Sequence, residues 1–515
     1  MKVASRREFL RGVGGMLGSV ALGYAVAQRL GFAESMFRAS KARLRFGALD
    51  PLVDLIQETP ADALMPLLVE KLKQGAPLSD LVAAGALANA RAYGGTNYNG
   101  YHTLMAMMPS YEMASQMPAP LSALPVLKVL HRNARFLQET GRAKEDALEP
   151  ILLEPKGPGS NGAPDANALA ASVRARDLPL AEQRLAALEA RSRPAAYEEL
   201  QTVVRDDMNV HRIVLAWRAY DLLRLTGEEQ STTMLRQSVR FCIDEDSARS
   251  KRGQPENEIK DLLPRLMKDK GLETRERGTR ASDPAWVEGL AGTIFGSERA
   301  AAAEAVAAAL AEGRDPEDVG AAMSLAATRL LLNDPGLKEA QTGKPVGSVH
   351  GASVGVHASD AANAWRHVAR IGSARNAHAS LIAGAFHTAG QSKNIGAEAN
   401  DKDAEPCAKE DPKALLAEID ARVRGKDQKG ACQAARRYAS LGHAPTDLFA
   451  LCLGFAVSED GALHAEKYFR TAQEEHAKAR PEHKDRYLVA LTRVMASHYG
   501  FPAPGCEETK KLLAG

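Results

Sequence analysis

The chain has 515 residues, 45% hydrophobic, 25% charged and only 5% aromatic, with 42 Gly and 26 Pro. This composition excludes a disordered, collagen-like or polytopic membrane chain, and the length exceeds what one hydrophobic core usually serves. Lys plus Arg number 66 against 64 Asp plus Glu, so no long-range field draws the chain onto nucleic acid.

First in chain order comes Ser5-Arg6-Arg7-Glu8-Phe9-Leu10, then an apolar run from Val13 to Val26 that ends at Ala25-Val26-Ala27. Residues 1–27 resemble a twin-arginine (Tat) signal peptide with a cleavage site. The resemblance implies the Tat export machinery as a partner and a periplasmic or secreted protein that folds, and often loads a cofactor, before it crosses. The alternative is an uncleaved anchor, for which the run is short and glycine-rich against the roughly 20 apolar residues of a spanning helix. No later segment is long and apolar enough to span a membrane.

Low aromatic content with abundant Ala and Leu favours helices over sheets. Apolar residues recur at the helical period through Val203–Leu225 and Glu298–Leu332. The expected class is all-α, an internally duplicated helical domain with a C-terminal helical block. A first helical half over 28–154 precedes the turn-rich linker 155–165, and helices over 166–250 complete it. A charged linker, 251–285, leads to a second half, 286–395, and a polar linker, 396–412, to the block 413–515. Within that block helices are expected near Leu415–Arg424, Gly430–Leu441, Thr446–Ala456, Ala462–Lys478 and Arg486–His498. Its histidines, His443, His464, His476, His483 and His498, stand in polar sequence and read as solvent-facing. Tandem helical repeats forming a docking surface would look the same.

The duplication rests on Leu72-Lys-Gln-Gly75 and Leu310-Ala-Glu-Gly313, each a glycine-capped helix end followed by a Pro-containing start. In register from there, Asp80 matches Asp318, Leu87 and Ala88 match Leu325 and Ala326, and Arg91 matches Arg329. A loop follows in each copy and leads to Gly100-Tyr101-His102 and Gly355-Val356-His357. The bland alternative is chance alignment of Ala-rich amphipathic helices.

The 13 histidines are uneven in position. His350, His357, His367, His378 and His387 crowd one Gly/Ala/Ser-rich segment, with Asp360 expected as an N-cap or a ligand. Asp207 and His211, spaced i and i+4, are expected on one helical face, with Asp206 and Glu245 nearby; Glu112 follows His102. If the halves pack face to face, His102, Asp207, His211, His357 and His367 are the expected metal ligands, with His350 or His378 as a proton-transfer group. A transition metal, iron or copper, or a b-type haem is the expected cofactor. Met105, Met107, Met108, Met113 and Met117 around His102 would suit copper or simply fill a core.

Other motifs discriminate less. Cys242, Cys407, Cys432, Cys452 and Cys506 include no C-x-x-C pair, which speaks against c-type haem, iron–sulfur and zinc-ribbon sites. Disulfides among the last four are expected in an oxidising compartment, and Cys242 reads as core. Gly351-Ala352-Ser353-Val354-Gly355 matches the G-x-S-x-G nucleophile pattern but lacks the strand that the motif needs. Phosphate-loop and dinucleotide fingerprints are not found.

The Gly/Asn/Tyr loop before His102, together with Val349-His-Gly-Ala-Ser-Val-Gly-Val-His357, is similar to questin-oxidase-like helical proteins, which are oxygenases. The resemblance covers two short patches and implies oxidation chemistry without assigning residues. Three functions follow as expectations. The first is an exported metal- or haem-dependent oxidoreductase with its histidine site between two halves and a small-molecule substrate. The second is a non-catalytic extracytoplasmic binding or scaffold protein, and the third a serine hydrolase acting through Ser353.

Overall fold

A computed structural model describes residues 43–151, 167–341, 344–349, 354–392, 395 and 407–515. Helix starts follow the capping chemistry of the sequence. Asp283-Pro284, Asp315-Pro316 and Asp411-Pro412 each supply a carboxylate that accepts first-turn N–H groups and a proline at the first helical position.

The leading part of the chain gives α1 (Asp50–Glu58), α2 (Ala61–Lys73), α3 (Leu78–Tyr93), α4 (Tyr98–Ala114) and α5 (Leu124–Glu139). Next come α6 (Ala168–Arg174), α7 (Leu178–Glu189), α8 (Arg193–Val204), α9 (Val210–Asp221), the single turn α10 (Leu223–Thr226) and α11 (Ser231–Lys251). The middle holds α12 (Ile259–Asp269), α13 (Pro284–Gly296), α14 (Arg299–Ala311), α15 (Pro316–Asn333), α16 (Val354–Ile371) and α17 (Ala374–Gln391). The C-terminal part is α18 (Pro412–Arg424), α19 (Gln428–Ser440), α20 (Pro445–Ser458), α21 (His464–Lys478), α22 (Pro481–His498) and α23 (Cys506–Ala514).

The all-α class expected from the sequence is the class observed. Among the described residues no strand forms, only isolated bridges such as Arg280 with Arg314. No described helix is long and apolar enough to cross a membrane. Residues 45–515 form one unit. The stretch read as a charged linker contains α12, whose Ile259, Leu262, Leu263, Leu266 and Met267 bury one face. Linker residues 155–165 and 396–406 lie outside the described residues.

Four helices position the site. α4 packs against α9, α9 against α16, α16 against α21, and α21 back against α4, closing a ring. Two glycines make this possible. A Cβ on Gly100 would collide with the ring of Tyr93 at the end of α3, and one on Gly355 with the backbone of Leu331 on α15. Glycine therefore lets each helix lie directly on its predecessor, two residues before a histidine. The methionines around that turn, Met105, Met107, Met108 and Met113, are buried core residues. None of the five cysteines is in a disulfide and four are buried, so the expected disulfides do not form.

Candidate functional site

Each helix of the ring contributes one histidine from within two turns of its N-terminus: His102, His211, His357 and His464. Their rings form a closed quadrilateral, with centroids 4.7 Å apart for His102–His211, 5.5 Å for His211–His357, 5.2 Å for His357–His464 and 4.9 Å for His464–His102. His102 Nε2 lies 2.9 Å from His211 Nε2, and His357 Nε2 lies 3.1 Å from His464 Nε2.

Local sequence explains two of the four orientations. Asn209 caps α9, and its Oδ1 accepts from the backbone N–H of His211 at 2.9 Å and from the ring Nδ1–H at 3.0 Å. One side chain thus starts the helix and fixes the tautomer. On α21 the carbonyl of Ala462 accepts from His464 Nδ1–H at 3.1 Å. The turn that aims this carbonyl holds Ala462 and Leu463 at φ 49° and 64°, a left-handed conformation that costs a side-chain-bearing residue about 1–2 kcal/mol. With both Nδ1 protons committed, His211 and His464 present Nε2 lone pairs to the centre, and His102 and His357 donate Nε2–H to them.

Around the quartet, the ring of Tyr98 lies 4.2 Å from that of His102 and Tyr101 lies 5.1 Å from His211. Tyr98 is 54% exposed and marks the solvent side. On the inner side Lys467 Nζ donates to His102 Nδ1 at 3.2 Å. Burial and the Lys467 ammonium hold His357 down at about 4. Burial, with His357 and Lys467 adding to it, holds His211 at about 2, and His102 and His464 are lowered by the same causes. Burial brings Lys467 itself down to about 8. Near neutral pH the quartet is therefore four uncharged imidazoles beside a buried ammonium.

Three of the histidines singled out from sequence, His102, His211 and His357, come together here. His367 does not. It lies ten residues beyond His357 on α16, about 15 Å further along the helix axis. Its Nε2 bonds Glu474 Oε2 at 2.7 Å, and its ring stacks on Trp217 at 4.3 Å. Asp207 is also elsewhere, because α9 begins only at Val210 and the i, i+4 spacing spans a turn rather than a helix. It binds Arg249 and Asn257 instead. Asp206 pairs with Arg174, and Glu245 takes the Asn209 amide. Asp360 lies inside α16, where it accepts from Thr471 Oγ1 at 2.8 Å, and is not an N-cap. His378 is a core residue whose Nδ1–H meets the Leu272 carbonyl at 3.2 Å. His350 and Ser353 lie outside the described residues.

His464, read from sequence as solvent-facing, is fully buried and closes the ring, and His498 and His483 are buried as well. The one signal that could have pointed to His464 is a pair of similar separations. His102 and His211 are 109 residues apart, and His357 and His464 are 107 apart.

No carboxylate or thiolate belongs to the quartet. Ligands 2.0–2.1 Å from one ion place their nitrogens about 2.9 Å apart at right angles and about 3.3 Å apart in a tetrahedron. The two Nε2 pairs, at 2.9 and 3.1 Å, already match that spacing. Among the described residues no group of three or more ligating side chains is gathered tightly enough to hold an ion as it stands. Two hydrogen-bonded pairs must turn toward a common point first. The rings touch one another, so no macrocycle fits between them.

Searches against protein-family models, curated proteins and solved structures return no match.

Proposed function

We propose that this protein is a metal-dependent oxidoreductase in which His102, His211, His357 and His464 hold a single iron or copper ion. The observation that carries this reading is the closure of four neutral imidazoles into one ring, with the Nε2 atoms of His211 and His464 turned inward by their Nδ1 partners; an ion would take the place of the two Nε2–H···Nε2 bonds. All-nitrogen neutral donors suit copper, iron, nickel and zinc, and an outer hydrogen-bond acceptor on the far ring nitrogen is the usual support of a metal-binding histidine. Redox use is favoured over hydrolysis because no carboxylate stands in the quartet to act as a general base, while the phenols Tyr98 and Tyr101 lie against its ligands. The ring contacts favour an ion over b-type haem. The likeness to questin-oxidase-like proteins points the same way, toward oxidation of a small organic molecule entering past Tyr98. Two related helical halves, each giving one Gly-x-His histidine and one helix-start histidine, would account for the quartet's arrangement.

The Tat-like leader adds a proposal of location: the protein folds, loads its ion and is exported to the periplasm or beyond. Replacing Arg6-Arg7 by Lys-Lys should retain it in the cytoplasm, and unchanged export would sink that part.

The test is metal content. Protein expressed with its own leader, purified and incubated with Fe(II) or Cu(II), should carry about one ion per chain, with nitrogen hyperfine structure in the Cu(II) spectrum. His211→Ala and His464→Ala should lose it, and His367→Ala should keep it. Folded protein that takes up neither ion would overturn the reading.

A further inference from the structure

Seven arginines are buried among the described residues, and six of them face a carboxylate. Arg91 meets Asp54, Arg212 meets Asp246, Arg236 meets Glu182, Arg366 meets Glu475, and Arg218 and Arg470 both approach Asp221. The seventh is Arg205. It is 5% exposed, yet its Nη1 has no hydrogen-bond partner and no carboxylate of the described residues stands within ion-pair distance. A guanidinium is costly to desolvate without a counter-charge, so the exception needs a physical reason.

The local carboxylates are bound elsewhere. Asp206, next in sequence, takes both prongs of Arg174, at 2.8 and 2.9 Å. Glu198, two turns back on α8, accepts from Ser373 Oγ at 2.7 Å and from the Asn376 amide. Arg205 caps the C-terminus of α8, and the negative end of a helix offsets part of its cost. The helix end does not account for Arg375, whose like charge adds to burial in bringing Arg205 down to about 10. Arg375 stands in the first turn of α17, a positive helix end without an acidic residue, where a cation is disfavoured.

The two arginines share a space. Both line one cavity of about 90 Å³ between α8, α12 and α17, several times the roughly 10–15 Å³ that one water needs. Leu263 and Met267, from the buried face of α12, give the same cavity an apolar surface. We propose that it binds a small organic carboxylate, its anionic head between Arg205 and Arg375 and its apolar body on Leu263 and Met267. The planar guanidinium fork matches a carboxylate in geometry, and the ligand supplies the counter-charge that Arg205 lacks. A dianion such as phosphate is disfavoured by the apolar surface and by the two carboxylates already in the lining, Asp206 and the exposed Glu273. Binding is non-covalent. The site shares no residue with the histidine quartet and does not rest on the metal reading.

The experiment titrates the full-length protein calorimetrically with sodium butyrate, with formate and inorganic phosphate as comparison anions. Butyrate should saturate at one per chain and bind more tightly than either. Arg375→Ala, a change at an exposed side chain, should weaken butyrate by about tenfold or more. Arg205→Met should abolish its binding; should that variant fail to fold, Arg375→Ala decides alone. Absence of saturable butyrate binding at millimolar concentration overturns the proposal. Butyrate affinity that Arg375→Ala leaves unchanged overturns it too, as does the lack of any preference for butyrate over formate and phosphate.

Discussion

Two buried histidine neighbourhoods share helices α16 and α21 and are built on opposite principles. Around His367 every charge has a counter-charge. Glu474 takes His367 on one oxygen and Arg470 on the other, Arg470 reaches Asp221, and Arg366 meets Glu475 with Asn363 alongside. Three turns away, the quartet of His102, His211, His357 and His464 has no carboxylate at all. His367, its pKa lowered chiefly by burial, spends its Nε2 on the Glu474 carboxylate and has no other histidine beside it. Four histidines that face one another satisfy each other's hydrogen bonds, and a cation could use their nitrogens only by replacing those two bonds. The contrast separates a structural network from a candidate reaction centre on the same pair of helices.

The largest expected effect belongs to the ionic neighbourhood. Glu475→Ala leaves Arg366 beside Glu317, whose side chain is 51% exposed, so unfolding by urea should show a loss of about 3–5 kcal/mol. Metal content of the folded fraction should not change; if it did, the two neighbourhoods would not be separable.

Removing the ion reads the other neighbourhood. At a free metal concentration of about one hundred times Kd the protein should gain about 2.7 kcal/mol, and a chelator should abolish the gain. His367→Gln should keep this response and His464→Gln should lose it, as followed by thermal denaturation.

Acid should distinguish the two next. His357 titrates at about 4 when folded against about 6.5 when unfolded. Its contribution to stability is therefore fully present above 6.5 and is lost as the pH falls from there toward 4, at a limiting slope of about 1.4 kcal/mol per pH unit. His211, held at about 2, extends the loss to lower pH. Denaturant midpoints of the metal-free protein measured between pH 7 and 4 should fall accordingly, and a flat profile would mean that folding leaves the histidine pKa values where they are in the unfolded chain.

The smallest effect sharpens how His464 is aimed. Ala462→Gly relieves a left-handed alanine and should stabilise by about 0.5 kcal/mol after the glycine's greater unfolded entropy is subtracted. If Ala462 stores strain to aim its carbonyl at His464, the variant should also bind metal more weakly.

Much of the scaffold could be read in advance, because capping and periodicity are local. The five helices expected after Pro412 correspond to α18 through α22, with ends displaced by a few residues. The site was only partly legible. His102 and His357 announced themselves through Gly-x-His after matching loops, and the glycines prove to be where helices touch. Asp207 misled because one turn interrupts what looked like a continuous helix. His464 was hidden by Glu466, Lys467, Arg470 and Glu475, a run that reads as a solvated face and is in fact buried. Glu475 is buried against Arg366 and Arg470 against Asp221, and partners 100 or more residues away leave no trace in local sequence.

The sequence by itself determined that the chain is helical, roughly where the five helices after Pro412 lie, and that histidines follow glycines at two places. These properties depend on backbone hydrogen bonding and sterics within a few residues. Only the tertiary structure decided which imidazoles meet. Spacing along a helix fixes the face on which a side chain lies but not the level at which another helix crosses it, so His464 joins the ring while His367, on the same side of α16, is about 15 Å too far along.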